Sequence, residues 1–360
     1  MARRRDPAVH AAVKVLLTGA AGFIGTAVGR ELAARGHEVV GVDAYIPQAH
    51  PAGGTPPDGI AQLDVRRADE WSSMLRGIDV VCHQAAMVGS GVAVADMPLY
   101  AGHNDLGTAA LLAAMHEVGA HRIVFASSMV VYGEGRYSCP EHGQVEPAPR
   151  SIEALDRREF DNRCPRCDLT LGWETVDEDA RLDPRSSYAA SKLAQEHYTS
   201  AWARQAPGSA VALRYHNVYG PGMPPNTPYS GVAALFRSAV EDGRAPEVFE
   251  DGAQMRDFVH VDDIARANAL AVEAVAVAPV DHRAVYNVCS GQPVSILDVA
   301  RAVARGAGSD LEPIVSGRYR PGDVRHVVAS PERARTELGF TAQVGPTEGL
   351  VRFATEPLRP

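Results

Sequence analysis

The sequence predicts an α/β protein built on a doubly wound parallel sheet, and three observations carry that prediction. An apolar run, Val13-Lys14-Val15-Leu16-Leu17, leads straight into a glycine-rich turn and then a helical pattern. Further short apolar runs come after it, separated by helix-like sequence. Several of those runs end in residues placed to meet a ligand, namely Asp43, Asp64 and Ser127-Ser128. Strands that alternate with helices form parallel sheets, and ligands gather at the carboxyl ends of those strands.

The first apolar run has the character of a buried parallel strand. Thr18-Gly19-Ala20-Ala21-Gly22-Phe23-Ile24-Gly25 comes next, then a helical pattern from Ala27 to Arg35 that Gly36 ends. Strand, glycine turn and helix together make a dinucleotide fingerprint. Gly19 allows the tight turn, Gly22 lets backbone approach a pyrophosphate, and Gly25 lets helix pack on strand. Phe23 and Ile24 lie within the same cofactor-binding turn. The spacing is G-x-x-G-x-x-G, and a glycine-rich turn with no ligand is the alternative. His37 to Asp43 reads as a second strand, with Asp43 placed to bond the adenosine ribose hydroxyls. A carboxylate there repels a 2'-phosphate, which favours NAD over NADP; a plain loop carboxylate is the alternative. Residues 44–59 are a Pro/Gly loop. Ile60 to Val65 and Ile78 to Cys82 are the next strands, with a helix between them. Asp64 and Val65 are candidates for adenine contact, and Ala85, in His83-Gln84-Ala85-Ala86, leaves room for a flat ligand. A helix from about Pro98 to Val118 contains Asn104. Ile123 to Ser128 is the fifth strand.

The second landmark is Tyr188-Ala189-Ala190-Ser191-Lys192, with Pro184 and a serine run ahead of it as a helix start. Residues four apart share a helix face, so the phenol and the ammonium can share one pocket. A free tyrosine titrates near ~10, and a nearby cation favours the phenolate. Tyr-x-x-x-Lys alone also fits an ordinary surface helix. Composition sharpens it: of 35 basic residues only Lys14 and Lys192 are lysines, and arginine's planar fork is no substitute for a compact ammonium.

At 360 residues and 46% hydrophobic content, the chain can bury a large core. A net charge of -9 argues against a nucleic-acid surface. No apolar run reaches transmembrane length, and the basic Met1 to Pro7 stretch is not followed by a signal-peptide apolar region. The expectation is a cytoplasmic protein with no membrane partner. Five cysteines, three of them clustered, do not resemble a secreted disulfide framework.

The cluster lies in a segment of low apolar content, 134–180. Cys139-Pro140-Glu141-His142 and Cys164-Pro165-Arg166-Cys167 form a closed set with zinc-ribbon spacing. Cys139, His142, Cys164 and Cys167 are thus candidate ligands of a structural Zn(II), which would help fold the segment. A Cys164–Cys167 redox pair or incidental cysteines are the alternatives. Because the segment joins Ser128 to Tyr188, it is expected near the active-site mouth, as a rigid flap.

With these residues in view, the chain resembles the extended short-chain dehydrogenase/reductases of the NAD-dependent sugar epimerase/dehydratase family, from about Val13 to Phe353. The resemblance rests on Thr18 to Gly25, Asp43, Asp64-Val65, His83 to Ala86, Asn104 to Thr108, Ser127 to Gly133 and Tyr188 to Lys192. It implies that Ser128, Tyr188 and Lys192 are catalytic and that NAD contacts Gly19, Gly22, Phe23, Ile24, Gly25, Asp43, Asp64, Val65, Ala85, Asn104, Tyr188 and Lys192. The substrate would be a nucleotide sugar held by Ser128, Asn217, Arg256, Arg320 and Asp323. For Asn217 the implied contact is the diphosphate; for Arg256, the nucleotide phosphates. Tyr229-Ser230-Gly231-Val232 would help enclose the base. Residues 1–215 would form the NAD-binding domain, with the 134–180 insertion. Residues 216–360 would form mainly a smaller, interleaved substrate lobe. A homodimer is implied, packed through the helices bearing Asn104 and Tyr188. The expected activity is C4 epimerisation, and the insertion resembles that of a subgroup acting on dTDP-L-rhamnose, with UDP-glucose left open. A ketoreductase, a decarboxylase, a dehydratase and an NAD-sensing scaffold with a zinc module are the rivals. Met129-Val130 stand where a dehydratase needs an acid pair.

Overall fold

The structure, a computed structural model, describes residues 11–50, 54–89, 91, 93–225 and 231–359. The Met1 to Pro7 stretch and Tyr229-Ser230 lie outside the described residues. The sheet strands are β1 (Lys14–Thr18), β2 (Glu38–Asp43), β3 (Ile60–Gln62), β4 (Val80–His83), β5 (Arg122–Ser128), β6 (Ser209–Tyr215) and β7 (Arg283–Val288). They form one parallel sheet in the order β3-β2-β1-β4-β5-β6-β7. The order reverses between β1 and β4, which opens a crevice at their carboxyl ends.

The apolar runs are continuous because both faces of the sheet are covered. Successive side chains alternate between faces. Val15, Leu17, Val80, Cys82, Val124, Val211 and Leu213 pack under α1 (Phe23–Ala34) and α4 (Val261–Ala276). Leu16, Val81, Ile123, Phe125, Ala210 and Ala212 pack on the other face. That face is covered by residues 65–75, α2 (Gly107–Val118) and the end of α3 (Ser187–Gln205). Each fully buried aliphatic side chain contributes about 1.5–3 kcal/mol, so the two layers hold the strand ends in register.

Some elements differ from their sequence expectation. The third strand stops at Gln62, because Asp64 caps the next segment, its Oδ1 accepting from Arg66 N at 2.9 Å. The helix expected there is a kinked 3-10 segment, Val65–Leu75, broken at Arg67 and Trp71. Within it the Trp71 indole donates to the Asp64 carbonyl at 2.9 Å. The long helix runs from Met97 to Val118 but widens to π geometry over Ala101–Leu106, where Asn104 is fully buried.

The chain beyond β6 divides its contribution. α4 and β7 join the central sheet and its helical layer, while helices Val232–Glu241, Ile296–Gly306 and Pro346–Phe353 enclose a separate cluster around Tyr219, Phe236, Phe258 and Phe353. The insertion forms a small antiparallel sheet, Arg136–Cys139 with Gly143–Val145 on one side and Gly172–Glu174 on the other. It is fastened to the C-terminal part. The buried Arg325 guanidinium meets Asp161 at 2.9 Å, Glu250 at 3.0 Å and Asp251 at 2.7 Å. Arg150 reaches Glu250 at 2.9 Å and the Asp323 carbonyl at 2.7 Å.

The glycine turn is tight for a steric reason. Gly19 has φ +67°, and a Cβ there would lie 2.7 Å from Ala85 N. A Cβ on Gly25 would lie 2.0 Å from the Gly19 carbonyl oxygen, which is backbone and cannot swing aside. Gly25→Ala is therefore expected to destabilise the protein by about 1–3 kcal/mol through overpacking. Urea unfolding of the two proteins measures this, and equal midpoints would show that α1 can slide away without cost.

Candidate active site

The site is assembled along one face of α3. Ser186 caps the helix, its Oγ accepting from Ala189 N at 3.2 Å. Tyr188, Lys192 and Glu196 then recur at four-residue intervals, which stacks them on one face. Lys192 is 3% exposed, and its Nζ donates to the Ala126 carbonyl of β5 at 2.9 Å. Burial pulls the ammonium down to about 7, against the opposing pull of Glu196. Glu196 is held by Arg214 of β6 through bonds of 2.9 and 2.8 Å, and also accepts the Ser127 hydroxyl. Arg214 continues to the Tyr132 hydroxyl at 2.8 Å, which donates to Asn287 at 2.7 Å. Glu196 and Arg214 escaped the sequence reading, although Glu196 sits one further turn along the Tyr188–Lys192 face.

The Tyr188 phenol is raised above its ordinary range. Burial is the main cause, the Ser128 hydroxyl favours the phenolate, and Tyr100 opposes it. The lowering expected from Lys192 is absent in this geometry. Its Nζ is turned onto the Ala126 carbonyl and stands 5.9 Å from the centre of the Tyr188 ring.

A cleft at the β1–β4 switch is lined by Gly19, Gly22, Asp43, Asp64, Val65 and Ala85, among others. Three features fit the adenosine and pyrophosphate of NAD. α1 starts at Gly22 with no side-chain cap and no acid in its first turn, which leaves the N–H groups of Phe23 and Ile24 without intrahelical acceptors. Ala85, pinned by a bond from its N–H to Thr18 Oγ1 at 3.1 Å, keeps one wall small. Asp43 lies at the end of β2, held by the N–H groups of Ala21 at 3.0 Å and Tyr45 at 2.8 Å. His50 Nε2 lies 3.3 Å from Asp43 and was not foreseen, since nothing in its loop signals it. Asp64 is ion-paired with Arg66 at 2.6 Å, which holds its carboxyl below the usual range despite partial burial. Asn104 proves to be a brace. Its amide bonds Met87 N, Met87 O and Ser191 Oγ at 2.7, 3.0 and 2.8 Å.

The five residues assigned to substrate are not gathered into one cluster. Ser128 ends β5 and Asn217 lies just past β6. Arg256 is buried, and its guanidinium is taken up by the carbonyls of Met255, Val324 and Arg325 at 2.7–2.9 Å. These bonds use three of its five N–H donors. Arg320 and Asp323 lie on an exposed turn, where Arg320 stacks 5.2 Å from the Phe249 ring centre.

Cys139, His142, Cys164 and Cys167 come together, with one ligand atom from each lying within 4.8 Å of all the others. Cys139 Sγ is 3.5 Å from His142 Nδ1 and 3.6 Å from Cys167 Sγ; Cys164 Sγ is 3.6 Å from His142 Nδ1. A tetrahedral zinc with ordinary bond lengths requires about 3.8 Å between sulfurs and about 3.6 Å between sulfur and nitrogen. The four residues fit that ion.

A dinucleotide-binding turn, a parallel sheet and a Tyr-x-x-x-Lys face beside a strand-end serine define a short-chain dehydrogenase/reductase. The chain matches the family described as NAD dependent epimerase/dehydratase over residues 15–161 and 170–289. The interruption is where Cys164 and Cys167 lie. A dTDP-L-rhamnose 4-epimerase of Burkholderia thailandensis is 34% identical over 354 residues, spanning 95% of this chain and 94% of that protein. A UDP-glucose 4-epimerase of Mycolicibacterium smegmatis is 30% identical, spanning 94% and 97%. The structure of a Thermus thermophilus UDP-glucose 4-epimerase in complex with NAD superposes with TM-score 0.72 at 31% identity, covering 95% of this chain and 97% of that one. The chain belongs to the NAD-dependent epimerase/dehydratase family, and it is an enzyme of that family, an NAD-dependent epimerase.

The buried ammonium of Lys192 has a measurable signature. Its pKa falls from 10.5 to about 7 on folding, so the unfolded chain binds more protons between those values. The penalty is complete below pH 7 and is relieved as pH rises. Lys192→Met is expected to raise the melting temperature at pH 6 and to lose that gain toward pH 10. Melting curves across that range measure it, and a pH-independent difference would contradict the charge burial.

Proposed function

We propose that the protein is a nucleotide-sugar 4-epimerase that works through tightly held NAD, and that its substrate is a dTDP-hexose such as dTDP-L-rhamnose. The observation that carries the reading is the placement of Ser128, Tyr188 and Lys192 on β5 and α3, beside the dinucleotide turn and at the carboxyl edge of the sheet. NAD, when bound, supplies the hydride acceptor and donor together with a positive charge beside the phenol. Tyr188 removes the proton from the sugar 4-hydroxyl and later returns it, and Ser128 shares that hydrogen bond. A cation next to a phenol lowers its pKa, which offsets the rise that burial imposes on Tyr188. Lys192 holds the nicotinamide ribose, and Asp43 the adenosine ribose. Met129-Val130 leave no acid pair for a dehydratase. The subgroup assignment is supported by the similarity of the whole chain to the Burkholderia enzyme and by the resemblance of the Cys139–His142 and Cys164–Cys167 motifs to that subgroup.

Zn(II) held by Cys139, His142, Cys164 and Cys167 is read as structural, because four protein ligands leave no position for substrate. Val145 and Leu171, the aliphatic side chains packed around the ligand cluster, contribute about 1.5–3 kcal/mol each. A structural zinc supplies about 10–16 kcal/mol in zinc-finger peptides, so the metal outweighs the apolar burial immediately around it. A cytoplasmic setting suits this, since thiols stay reduced there. The subunits are read as pairing through the helices that carry Asn104 and Tyr188, where Leu106 and Tyr198 are exposed.

Purified protein incubated with dTDP-L-rhamnose and no added NAD is expected to form the C4 epimer, followed by NMR. Tyr188→Phe should form none while retaining NAD. Absence of any epimer from dTDP- and UDP-sugars, with added NAD, would overturn the reading. Elemental analysis should find one zinc per chain in a particle that sediments as two chains. Stripping the zinc is expected to lower the melting temperature, and a metal-free protein of unchanged stability would refute the structural role.

A further inference from the structure

Asp43 ends β2 as a carboxylate only 8% exposed, and its surroundings are built to hold it still. Its Oδ2 accepts the Ala21 N–H at 3.0 Å and its Oδ1 accepts the Tyr45 N–H at 2.8 Å. His50, 6% exposed, faces Oδ1 through Nε2 at 3.3 Å. Tyr45 reaches its place with φ at +52°, a left-handed conformation that is costly for any residue with a Cβ. That turn lays the Tyr45 ring on the His50 imidazole, with ring centres 3.9 Å apart and planes 24° apart. Asp43 and His50 line the same cleft as Gly19, Gly22 and Ala85, so this loop belongs to the wall of the proposed cofactor site.

The other nitrogen of the imidazole is taken by a residue distant in sequence. Arg359 Nη2 lies 2.6 Å from His50 Nδ1. A guanidinium only donates, so Nδ1 is the acceptor and the ring proton sits on Nε2, toward Asp43. Burial is the main cause that holds the ring below its ordinary range; Asp43 opposes it and Arg359 adds to it. The ring is therefore neutral at working pH. Arg359 is in turn held by the second lobe. Its N–H donates to the Met223 carbonyl at 3.1 Å, and Gly222 N–H donates to the Pro357 carbonyl at 2.8 Å. Leu358, between them, packs on the cluster around Tyr219, Phe236 and Phe353. Residues 357–359 thus form a strap from that cluster to the loop beside Asp43.

We propose that His50 and Arg359 are positioning residues for NAD: Arg359 fixes the tautomer of His50, and His50 holds the Asp43 carboxylate in place for the adenosine ribose. The proposal rests on the reading above, in which Asp43 holds that ribose. A carboxylate has about four acceptor positions. Ala21, Tyr45 and His50 fill three of them, which leaves one for a ligand hydroxyl. A side chain left to rotate would lose that freedom each time the cofactor bound, at a cost in affinity. One already fixed by its neighbours has lost it on folding. Because Arg359 is anchored at Gly222 and Met223, the second lobe contributes in this way to the affinity of the first for NAD.

The test starts from the purified full chain, freed of NAD by dialysis. Calorimetry then measures its affinity for NAD and for NAD that lacks the 2'-hydroxyl of the adenosine ribose. Wild type should prefer NAD. His50→Ala and Arg359→Ala are each expected to weaken NAD about 3–30-fold, the range of a single hydrogen bond, and to weaken the deoxy analogue far less. The double variant should lose little more than either single one, because both act through the same relay. His50→Gln, whose amide accepts from Arg359 and donates to Asp43, should recover much of the loss. Unchanged affinity, equal weakening of NAD and the analogue, or additive losses would overturn the relay. A wild type that does not distinguish NAD from the analogue would refute the ribose contact and the relay with it. These affinities are read without turnover, so a protein that epimerises no nucleotide sugar would count against the function assigned above and not against the relay.

Discussion

The ammonium of Lys192 has to be kept inside the protein, and much of the surrounding architecture serves that constraint. A buried cation is tolerated only where dipoles and charges replace water. Here the Ala126 carbonyl of β5 supplies the first, and Glu196, one turn further along α3, supplies the second. Glu196 is itself buried, so it needs Arg214, and Arg214 needs Tyr132 and the Glu178 carbonyl. The chain of partners thus runs from α3 across β6 to the segment that carries Asn287 of β7. Removing Glu196 or Arg214 leaves the other charged and alone, which is more costly than never having built the pair, whereas loss of Lys192 still leaves Glu196 paired with Arg214.

The same logic governs the join between the insertion and the rest of the molecule. Arg325 is 1% exposed and binds three carboxylates, one from the insertion and two from the loop at 250–251. Its backbone N–H donates to Glu134 at 2.9 Å, at the start of the insertion. Val176 pairs with Ala329 and exchanges backbone bonds with Val328 and Ser330. The insertion is therefore attached by a dense ionic cluster at one end and by strand-like pairing at the other.

Much of the sheet was legible because a strand covered on both faces must be apolar throughout, and β1, β4, β5 and β6 are. The glycine turn, the α3 start and the four-residue spacing of Tyr188 and Lys192 were legible because each depends on local geometry. Short-range sequence could not foresee the kink within Val65–Leu75, where a tryptophan indole turns back to Asp64, or the π turns at Asn104. Arg256 has the charge of a phosphate anchor, but what it binds depends on carbonyls nearly 70 residues away. His50 reaches Asp43 from a loop with no periodicity.

The path of the chain through the sheet has a further consequence. The polypeptide leaves β6, builds part of the second lobe, returns to lay α4 and β7 onto the central sheet, and then leaves again. The two lobes are thus sewn together by a double crossing. A cassette cut from residues 216 onward would carry away the last strand and α4, which covers one face of the sheet together with α1. Recombination between relatives at a single junction there would yield two incomplete cores. Diversity in what such enzymes accept must arise within the fabric, by point changes at strand ends or by added segments in loops, as at 134–180.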